Sequence, residues 1–204
     1  MRRAAFILLV LAGAGLAEPR LFFSKDFPGS TPAYVAITLS RDGACQYRES
    51  KDDDFPVKMQ LQKADAEAMF ALADKLDRFG HPLESPLKVA KMGMKTFRFE
   101  EGDRKTETSF NFSEDPDARI LADWFEKISE TSQYYLQLER TVKYDKLGVN
   151  RSLLQLEIGL TRGRVVAGPI FLHLLDRVAK NDTYLNMARS RAANLAEAIR
   201  QVSK

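Results

Sequence analysis

The sequence is poor in the side chains that most often carry chemistry, since its 204 residues include one cysteine, two histidines and one tryptophan. Cys45 has no second cysteine to pair with, so the chain is not a small secreted protein stabilised by internal disulfides. The scarcity of imidazole and thiol groups argues against a zinc site. Beyond residue 17 the sequence also lacks the G-x-S-x-G, P-loop and dinucleotide-binding patterns.

Residues 1–17 have the pattern of a secretory signal peptide. Arg2 and Arg3 form a basic start, residues 4–11 an apolar core, and residues 15–17 a small-residue cleavage site. An uncleaved membrane anchor is the alternative, but residues 4–17 as a helix would cover only about 21 Å of a bilayer core about 30 Å thick. No later segment is apolar enough to span a membrane. We therefore expect an exported protein, periplasmic or secreted, with cleavage near Ala17.

Charge is distributed unevenly along the chain. Residues 18–145 contain 19 basic and 24 acidic side chains, whereas residues 146–204 contain 10 basic and 4 acidic ones. We favour the interpretation that the two parts complement each other electrostatically. Contact of the basic part with an anionic surface is the alternative. Nucleic acid is not expected as a partner, because no dense Lys/Arg block or basic-aromatic stripe is present.

The front of the chain, residues 18–115, has the alternating pattern of strands. Residues 34–49 predict a hairpin whose three-residue loop ends at a left-handed Gly43. This loop pairs Leu39 with Cys45 and Ile37 with Tyr47, which keeps the apolar side chains on one face. A two-residue Asp-Gly turn would shift the register by one residue and mix the faces. We therefore prefer the longer loop, which makes Cys45 a core residue.

A strand at 57–61, a helix and a second hairpin complete the front. The helix is predicted from about residue 64 to 79, ended by a left-handed Gly80. Its inner stripe consists of Met69, Leu72, Leu76 and Phe79. The second hairpin covers residues 95–113, with Phe99 facing Phe110 and Phe97 facing Phe112. The result is a mainly antiparallel sheet of about five strands with one packed helix.

The back of the chain, residues 116–204, is predicted to be helical. A long helix from Pro116 to about Tyr144 is capped by Ser113. Its predicted apolar stripe consists of Ile120, Trp124, Ile128, Tyr135, Leu138 and Val142, and Thr131 fills the one gap in it. The next helix begins at an Asn150 cap and ends at Gly163, and a short helix opens at Gly168-Pro169. In the second helix the apolar positions are Leu153, Leu154, Leu156 and Leu160, and in the short helix they are Phe171, Leu174, Leu175 and Val178.

The last helix follows a cap at Asn181-Asp182. Its apolar positions are Leu185, Ala188, Ala192, Leu195, Ile199 and Val202. The sequence thus predicts an α+β protein, in which the sheet of residues 18–115 precedes a long connecting helix and a C-terminal helical bundle or short repeat-like stack. The two parts can share one domain.

Three stretches resemble parts of uncharacterised exported bacterial proteins. They are YVAITLSRDGACQYRE at residues 34–49, LESPLKVAKMGMKTFRFE at residues 83–100 and YDKLGVNRSLLQLEIGL at residues 144–160. The resemblance extends over most of the chain beyond residue 17. It implies export and an α+β fold but no activity, so it assigns no role to any residue.

Cysteine and histidine are the first candidates for chemistry. A nucleophilic Cys45 would need a basic partner and exposure, whereas the hairpin register buries it, so we expect an inert core residue. His81 lies in the turn that ends a helix. His173 falls on a polar stripe with Asp176, Arg177 and Lys180 and is expected at the surface.

Two short motifs resemble known sites incompletely. Residues 52–54 are three aspartates, but the EF-hand position for a glutamate is Lys63, so we predict a charged loop rather than a calcium site. Ser85 and Lys88 match S-x-x-K, yet the S-D-N and K-T-G elements that accompany it are missing, and residues 95–97 read K-T-F. A chance match is the preferred interpretation.

The remaining candidates concern modification and binding. Asn111, Asn150 and Asn181 each begin an N-x-S/T triplet, which is interpreted as coincidental because the signal peptide looks bacterial. Met92 and Met94 lie just ahead of a predicted strand, and we expect them to fill the core. An adaptable binding surface is the alternative.

No catalytic, cofactor-binding or metal-binding residue is assigned from the sequence. The leading hypothesis is an exported, non-enzymatic protein that binds another protein or a cell-envelope component. A hydrolase with a site assembled from residues distant in sequence is the first alternative, and a structural envelope protein is the second. The oligomeric state is left open.

Overall fold

The computed structural model describes residues 18–202, so the predicted signal peptide lies outside the described residues. The strands are β1 (Arg20–Asp26), β2 (Tyr34–Ser40), β3 (Ala44–Arg48), β4 (Val57–Gln60), β5 (Met94–Glu101) and β6 (Arg104–Phe110). The helices are α1 (Lys63–Lys75), α2 (Pro116–Tyr144), α3 (Val149–Thr161), α4 (Leu172–Ala179) and α5 (Asn186–Val202). The predicted α+β class is confirmed. Within residues 18–202, no helix combines the length and apolar character that crossing a bilayer requires.

Among residues 18–202, the sheet has six antiparallel strands rather than about five. Their order is β4-β3-β2-β1-β5-β6. The strand that the sequence analysis missed is β1, which lies between β2 and β5 and pairs with both over its full length. It therefore joins the two predicted hairpins into one sheet.

The first hairpin has the predicted register. Leu39 pairs with Cys45 and Ile37 with Tyr47, and Gly43 has a φ of 92°. A side chain at this glycine would also be blocked, because a Cβ there would lie 2.5 Å from the Leu61 carbonyl oxygen. Both the conformation and the close approach thus require glycine.

The second hairpin has a different register from the predicted one. Phe97 pairs with Thr108 and Phe99 with Thr106, because Glu101 lies opposite Arg104 across a two-residue turn. Gly102 in this turn has a φ of 59°, as such tight turns require. The shift is an even number of residues, so the phenylalanines stay on the predicted face. Rings of Phe97 and Phe110 still meet, with centroids 5.0 Å apart.

Helix α1 is shorter than predicted and ends differently. Its four predicted inner residues are buried, but the α-helix stops at Lys75 and Gly80 has a right-handed φ of −74°. The left-handed residues are instead Asp77, Arg78 and Phe79, with φ of 50°, 49° and 67°. This turn directs the Phe79 ring into the core, 5.1 Å from the ring of Phe97.

Helix α2 has the predicted bounds but a different cap and a shifted stripe. Asp115, not Ser113, is the N-cap, because its carboxylate accepts hydrogen bonds from the backbone N–H groups of residues 117 and 118. In the first half of the helix, Leu121 and Phe125 are buried, whereas Ile120 is 49% exposed. The second half follows the prediction, since Leu138 and Val142 are buried.

The helices after α2 largely match the prediction. Gly163 ends α3 with a φ of 64°, and the 3₁₀ turn Gly168–Phe171 leads into α4. Asn150 is not a cap, since α3 begins after Gly148. Leu185 lies outside α5 and is 57% exposed. The buried positions common to prediction and structure are Leu153, Leu156, Phe171, Leu174, Leu175, Val178, Ala188, Ala192, Leu195 and Ile199.

Two apolar cores share α2. The first lies between the sheet, α1 and the first half of α2, and the second between the second half of α2 and α3 to α5. Arg164, in the loop after α3, ties this loop to α2 between the two cores. Its guanidinium donates two hydrogen bonds to Glu130, at 2.9 and 2.7 Å, and one to Asp123 at 2.6 Å. These bonds raise the pKa of Arg164 and favour its charged form.

Candidate functional site

The helices pack on one face of the sheet, and the second face carries the candidate site. Side chains alternate between the faces of a strand, so the strand register determines which side chains stand next to each other on the second face. Phe22, Ser24 and Asp26 of β1 point to that face. We call it the open face.

Side chains of contrasting size form rows across the open face. The middle row is small and consists of Ala36, Ser24, Thr96 and Ser109, on β2, β1, β5 and β6. Larger side chains form most of the row on each side, and the exception is Thr38 on β2, which pairs with Phe22. Phe22 pairs with Arg98 in one row, and Asp26 pairs with both Tyr34 and Met94 in the other. A low row between two high rows creates a trough that runs across the strands.

The loop between α1 and β5 forms one wall of the trough. Asn111 holds this loop through its backbone N–H, which donates to Glu84 at 2.5 Å, and its side-chain amide, which donates to the Ala90 carbonyl at 3.0 Å. The amide oxygen accepts a hydrogen bond from the Met92 N–H at 2.6 Å. Gly93 lets the loop approach β1 closely, since a Cβ there would lie 2.8 Å from the Phe27 Cβ.

The resulting trough has a volume of about 1080 Å³. Its rim includes Leu87, Met94 and Phe27, which are 54%, 51% and 37% exposed. A second depression of about 590 Å³ shares Phe22 and Tyr34 with it and extends towards the loop after β3. Exposed apolar side chains concentrated around one concave surface are typical of a binding site rather than of ordinary surface.

The floor and walls of the trough differ in polarity. Two hydroxyls face each other on the floor, since the oxygens of Thr96 and Ser109 are 2.9 Å apart. Arg98 stacks on the Phe22 ring, 3.8 Å from its centroid, and donates a hydrogen bond to Glu107 at 3.2 Å. The arrangement can therefore hold a ligand that has polar groups along one side and apolar groups along the others.

Three lysines at the rim of the trough are not paired with any described carboxylate, unlike Arg98. Lys51 lies 5.6 Å from the centre of the Tyr34 ring. Within residues 18–202, Lys51, Lys88 and Lys91 have no carboxylate within ion-pair distance. Their charges are available to a ligand, although Asp26 and Glu84 on the same rim reduce the net positive charge.

The residues that the sequence analysis considered for chemistry do not lie together. Cys45 is 1% exposed on the helix-covered face, and burial raises the pKa of its thiol to about 12. His81 and His173 are both at the surface, on different lobes, and the His173 ring lies 5.9 Å from the ring of Tyr135. Across residues 18–202, no three or more His, Cys, Asp or Glu side chains cluster as metal ligands would.

Ser85 has a structural setting. It is 7% exposed, and its hydroxyl donates to the Glu114 carboxylate at 2.9 Å and accepts from the Leu87 N–H at 3.1 Å. Its partner is thus a carboxylate and not Lys88. The residue anchors the start of the wall loop, because its own N–H donates to the Phe112 carbonyl at 2.8 Å.

The structure corrects the expectation for the two methionines. Met92 and Met94 are 57% and 51% exposed, so they do not fill the core. Both flank Gly93, whose positive φ of 93° turns the chain from the wall loop into β5. Asp52, Asp53 and Asp54 lie in the loop after β3 and line the second depression.

Most trough residues were not predicted, since Phe22 and Ser24 belong to a strand whose pattern is not recognisable in the sequence. Polar Thr96 and Arg98 carried no signal beyond their place in a strand. The pair of methionines was the one available indication, through the alternative interpretation that they form a binding surface. Comparisons with known proteins add no assignment: no protein-family model matches the chain, and no curated protein matches it.

Proposed function

We propose that the protein is exported and non-enzymatic, and that it binds an extended, partly apolar segment of another protein in the trough of the open face. The observation that supports this most is the row of small side chains between two rows of mostly larger ones, on a face that no helix of residues 18–202 covers. Such a channel accepts a chain that lies across the strands.

The dimensions suit a short extended segment. The trough crosses from β2 to β6, and neighbouring strands lie about 4.8 Å apart, which gives a length of about 14 Å. An extended peptide advances about 3.3 Å per residue, so about four residues would lie on the floor. The hydroxyls of Ser24, Thr96 and Ser109 are placed to bond the polar backbone of such a segment.

The walls suit apolar side chains of varied shape. Phe22, Tyr34 and Phe27 are aromatic, and Met94 is unbranched and polarizable, so it can adjust to different partners. An adaptable wall supports a binder of several related segments rather than of one rigid ligand. A lipid or glycan of the envelope would be held less well, because the hydroxyl floor and the apolar walls match a peptide's alternating polarity.

Site-specific photocrosslinking tests the proposal in intact cells. A photoreactive benzoylphenylalanine replaces Met94 at the rim, and in a control protein it replaces the exposed Arg177 of α4. We expect a protein adduct from position 94 and none of the same mass from position 177. Adducts to lipid or glycan alone, or equal adducts from both positions, would contradict the proposal.

Filling the trough provides the matched variant. Thr96→Phe places a large side chain on the floor, and Thr38→Phe makes the same change on the same face outside the trough. Both positions are half-buried strand positions, so we expect both variants to fold. The position 94 adduct should disappear with Thr96→Phe and persist with Thr38→Phe.

A further inference from the structure

Four exposed apolar side chains lie at one end of the helical lobe, away from the trough. Tyr144 and Leu147 are 83% and 81% exposed, and Leu185 and Met187 are 57% and 63% exposed. Tyr144 is the last residue of α2, and Leu147 lies in the connection from α2 to α3. The other two lie between α4 and the first turn of α5. We call these four residues the helical tip.

The two connections are in direct contact and form one surface. Lys146 Nζ donates to the Thr183 hydroxyl at 3.1 Å, and Asn150 donates to the Met187 sulfur at 3.6 Å. Tyr184 is buried between them, and its hydroxyl donates to the Val142 carbonyl at 3.1 Å. The apolar residues of the helical tip therefore project from a braced end of the helices and not from separate loops.

The cations around the helical tip are largely free of carboxylates. Elsewhere in the lobe, Arg191 pairs with Glu157 and Arg200 with Asp176, at 3.0 and 2.7 Å. In the described part of the chain, by contrast, Lys146, Arg151 and Lys180 have no carboxylate within ion-pair distance. Arg162 and Arg177 are also without such a partner, so three of the five unpaired cations within residues 146–202 lie in or next to the connections that carry the helical tip.

The nearby acids reduce this charge only partly. Asp182 is paired with Arg189 at 2.7 Å. Asp145 accepts a hydrogen bond from the Gly148 N–H at 2.9 Å and so holds the turn between α2 and α3. Among the described residues near the helical tip, Asp145 is therefore the carboxylate without an ion pair, against three cations without one.

We infer that the helical tip docks on an anionic lipid bilayer surface. Tyrosine and aliphatic side chains would enter the interfacial region, as such residues do at membrane boundaries. Lys146, Arg151 and Lys180 would contact the anionic headgroups. A protein partner is disfavoured, because the depression beside Leu147, of about 570 Å³, is otherwise lined by polar residues and glycine and offers no apolar socket for a partner's anchoring side chain.

Vesicle co-sedimentation tests this inference with protein recovered after export and lacking residues 1–17. We expect binding to phosphatidylcholine vesicles that contain about 30% phosphatidylglycerol, a clear loss of binding at high salt, and little binding to phosphatidylcholine alone. Equal binding to both vesicles, or binding to neither, would overturn the inference. Neither outcome affects the trough, whose occupant is tested separately.

Two pairs of substitutions separate the apolar and the basic contributions. Leu147→Ser with Leu185→Ser should weaken vesicle binding by about 10-fold or more, since each change removes an apolar side chain that leaves water on docking. Lys146→Glu with Arg151→Glu should weaken it at least about 10-fold, since two cations that attract the anionic headgroups are replaced by anions. All four side chains are exposed, so folding should be retained.

The matched control is Phe55→Ser. Phe55 is 90% exposed in the loop before β4, so the substitution removes a large exposed apolar side chain at a position away from the helical tip. Its binding should equal that of the unmodified protein. If Phe55→Ser and the leucine pair lowered binding equally, the helical tip would not be the docking surface. A blue shift in the emission of Leu147→Trp on anionic vesicles would report insertion directly.

Discussion

Thiol labelling should be far slower in the native protein than in the unfolded chain, because the one cysteine of the sequence is 1% exposed. Cys45 sits on the helix-covered face of β3, where it pairs with Leu39 on one side and Met59 on the other. The perturbation is a thiol reagent such as a disulfide dye. The outcome distinguishes an inert core residue from the nucleophile of an enzyme.

Two effects determine how much slower the native protein is labelled than the unfolded chain. Burial raises the Cys45 pKa from 9.0 to about 12, so at pH 8 the thiolate fraction falls about 1000-fold. A more basic thiolate is more nucleophilic, with a Brønsted coefficient of about 0.5, which restores about 30-fold and leaves a chemical factor of about 30. The reagent must also reach the sulfur, which requires opening. If the opening costs at least about 5 kcal/mol, less than about 1 molecule in 1000 is reactive at any moment.

The assay compares labelling rates at pH 8 with and without about 6 M urea. We expect a native rate at least about 1000-fold below the unfolded rate, and no labelling of Cys45→Ala in either condition. A native rate within about 10-fold of the unfolded rate would refute the reasoning, because it would show that Cys45 is accessible or activated.

The same pKa shift predicts how stability depends on pH. The folded-state pKa is raised, so the stabilising contribution of the neutral thiol is complete below pH 9 and is lost as the pH rises towards about 12. The slope should approach about 1.4 kcal/mol per pH unit above pH 9. Cys45→Ala is the control, and its free energy of unfolding should fall less steeply over that range.

Four further substitutions test the packing and local structure described above by urea unfolding. Phe97→Ala should cost about 3–5 kcal/mol, because its ring lies within 6 Å of the centroids of four other phenylalanine rings. Asp77→Gly should leave stability unchanged or raise it by up to about 1 kcal/mol, since it relieves a left-handed residue. Ala71→Gly, at an exposed position of α1, should lower the free energy of unfolding by about 1 kcal/mol, because glycine disfavours the helix interior. Arg164→Ala should cost about 2 kcal/mol, reduced by partial exposure, whereas the same change at the exposed Arg177 should cost less than about 0.5 kcal/mol.

The two hairpins show why one register was predictable and the other was not. In β2 and β3, a one-residue shift would have moved apolar side chains to the wrong face, so the pattern selects one register. In β5 and β6, the predicted and observed registers differ by an even number of residues and place Phe97 and Phe99 on the same face. The prediction paired phenylalanines across the two strands, and this preference selected the wrong register. The Gly102-Asp103 dipeptide is the better signal, because a two-residue loop sets the register by itself.

The stripe of α2 was ambiguous for a similar reason. Steps of three and four residues connect Ile120 to Trp124 and equally Leu121 to Phe125. The sheet decides between them, because the Phe125 ring stacks on the Phe23 ring with centroids 4.8 Å apart and an interplanar angle of 5°. Phe23 belongs to the strand that was not predicted, so the sequence analysis had no partner with which to choose.

Phe22, which forms part of the trough wall, is also the reason that strand β1 was not predicted from the sequence. Strand β1 has Leu21 and Phe23 on the buried face, but Phe22 between them is also apolar, which removes the alternation by which half-buried strands are recognised. A large apolar side chain on the solvent side of a strand does not contribute to the core, but it is available to bind a ligand. Its position beside Ser24 becomes meaningful only when the register with β5 places the small Thr96 next to it.

The trough and the helical tip, if both bind as proposed, would act at a fixed separation. The sheet packs on α2 up to about Ile128, and the helical tip begins at Tyr144, sixteen residues later, or about 24 Å along the helix axis. Because Arg164 and the second core brace α2 over this interval, the distance would not vary as it would with a flexible linker. A protein docked through Leu147 would therefore hold its peptide-binding face clear of the lipid headgroups, within reach of segments that emerge from the same surface.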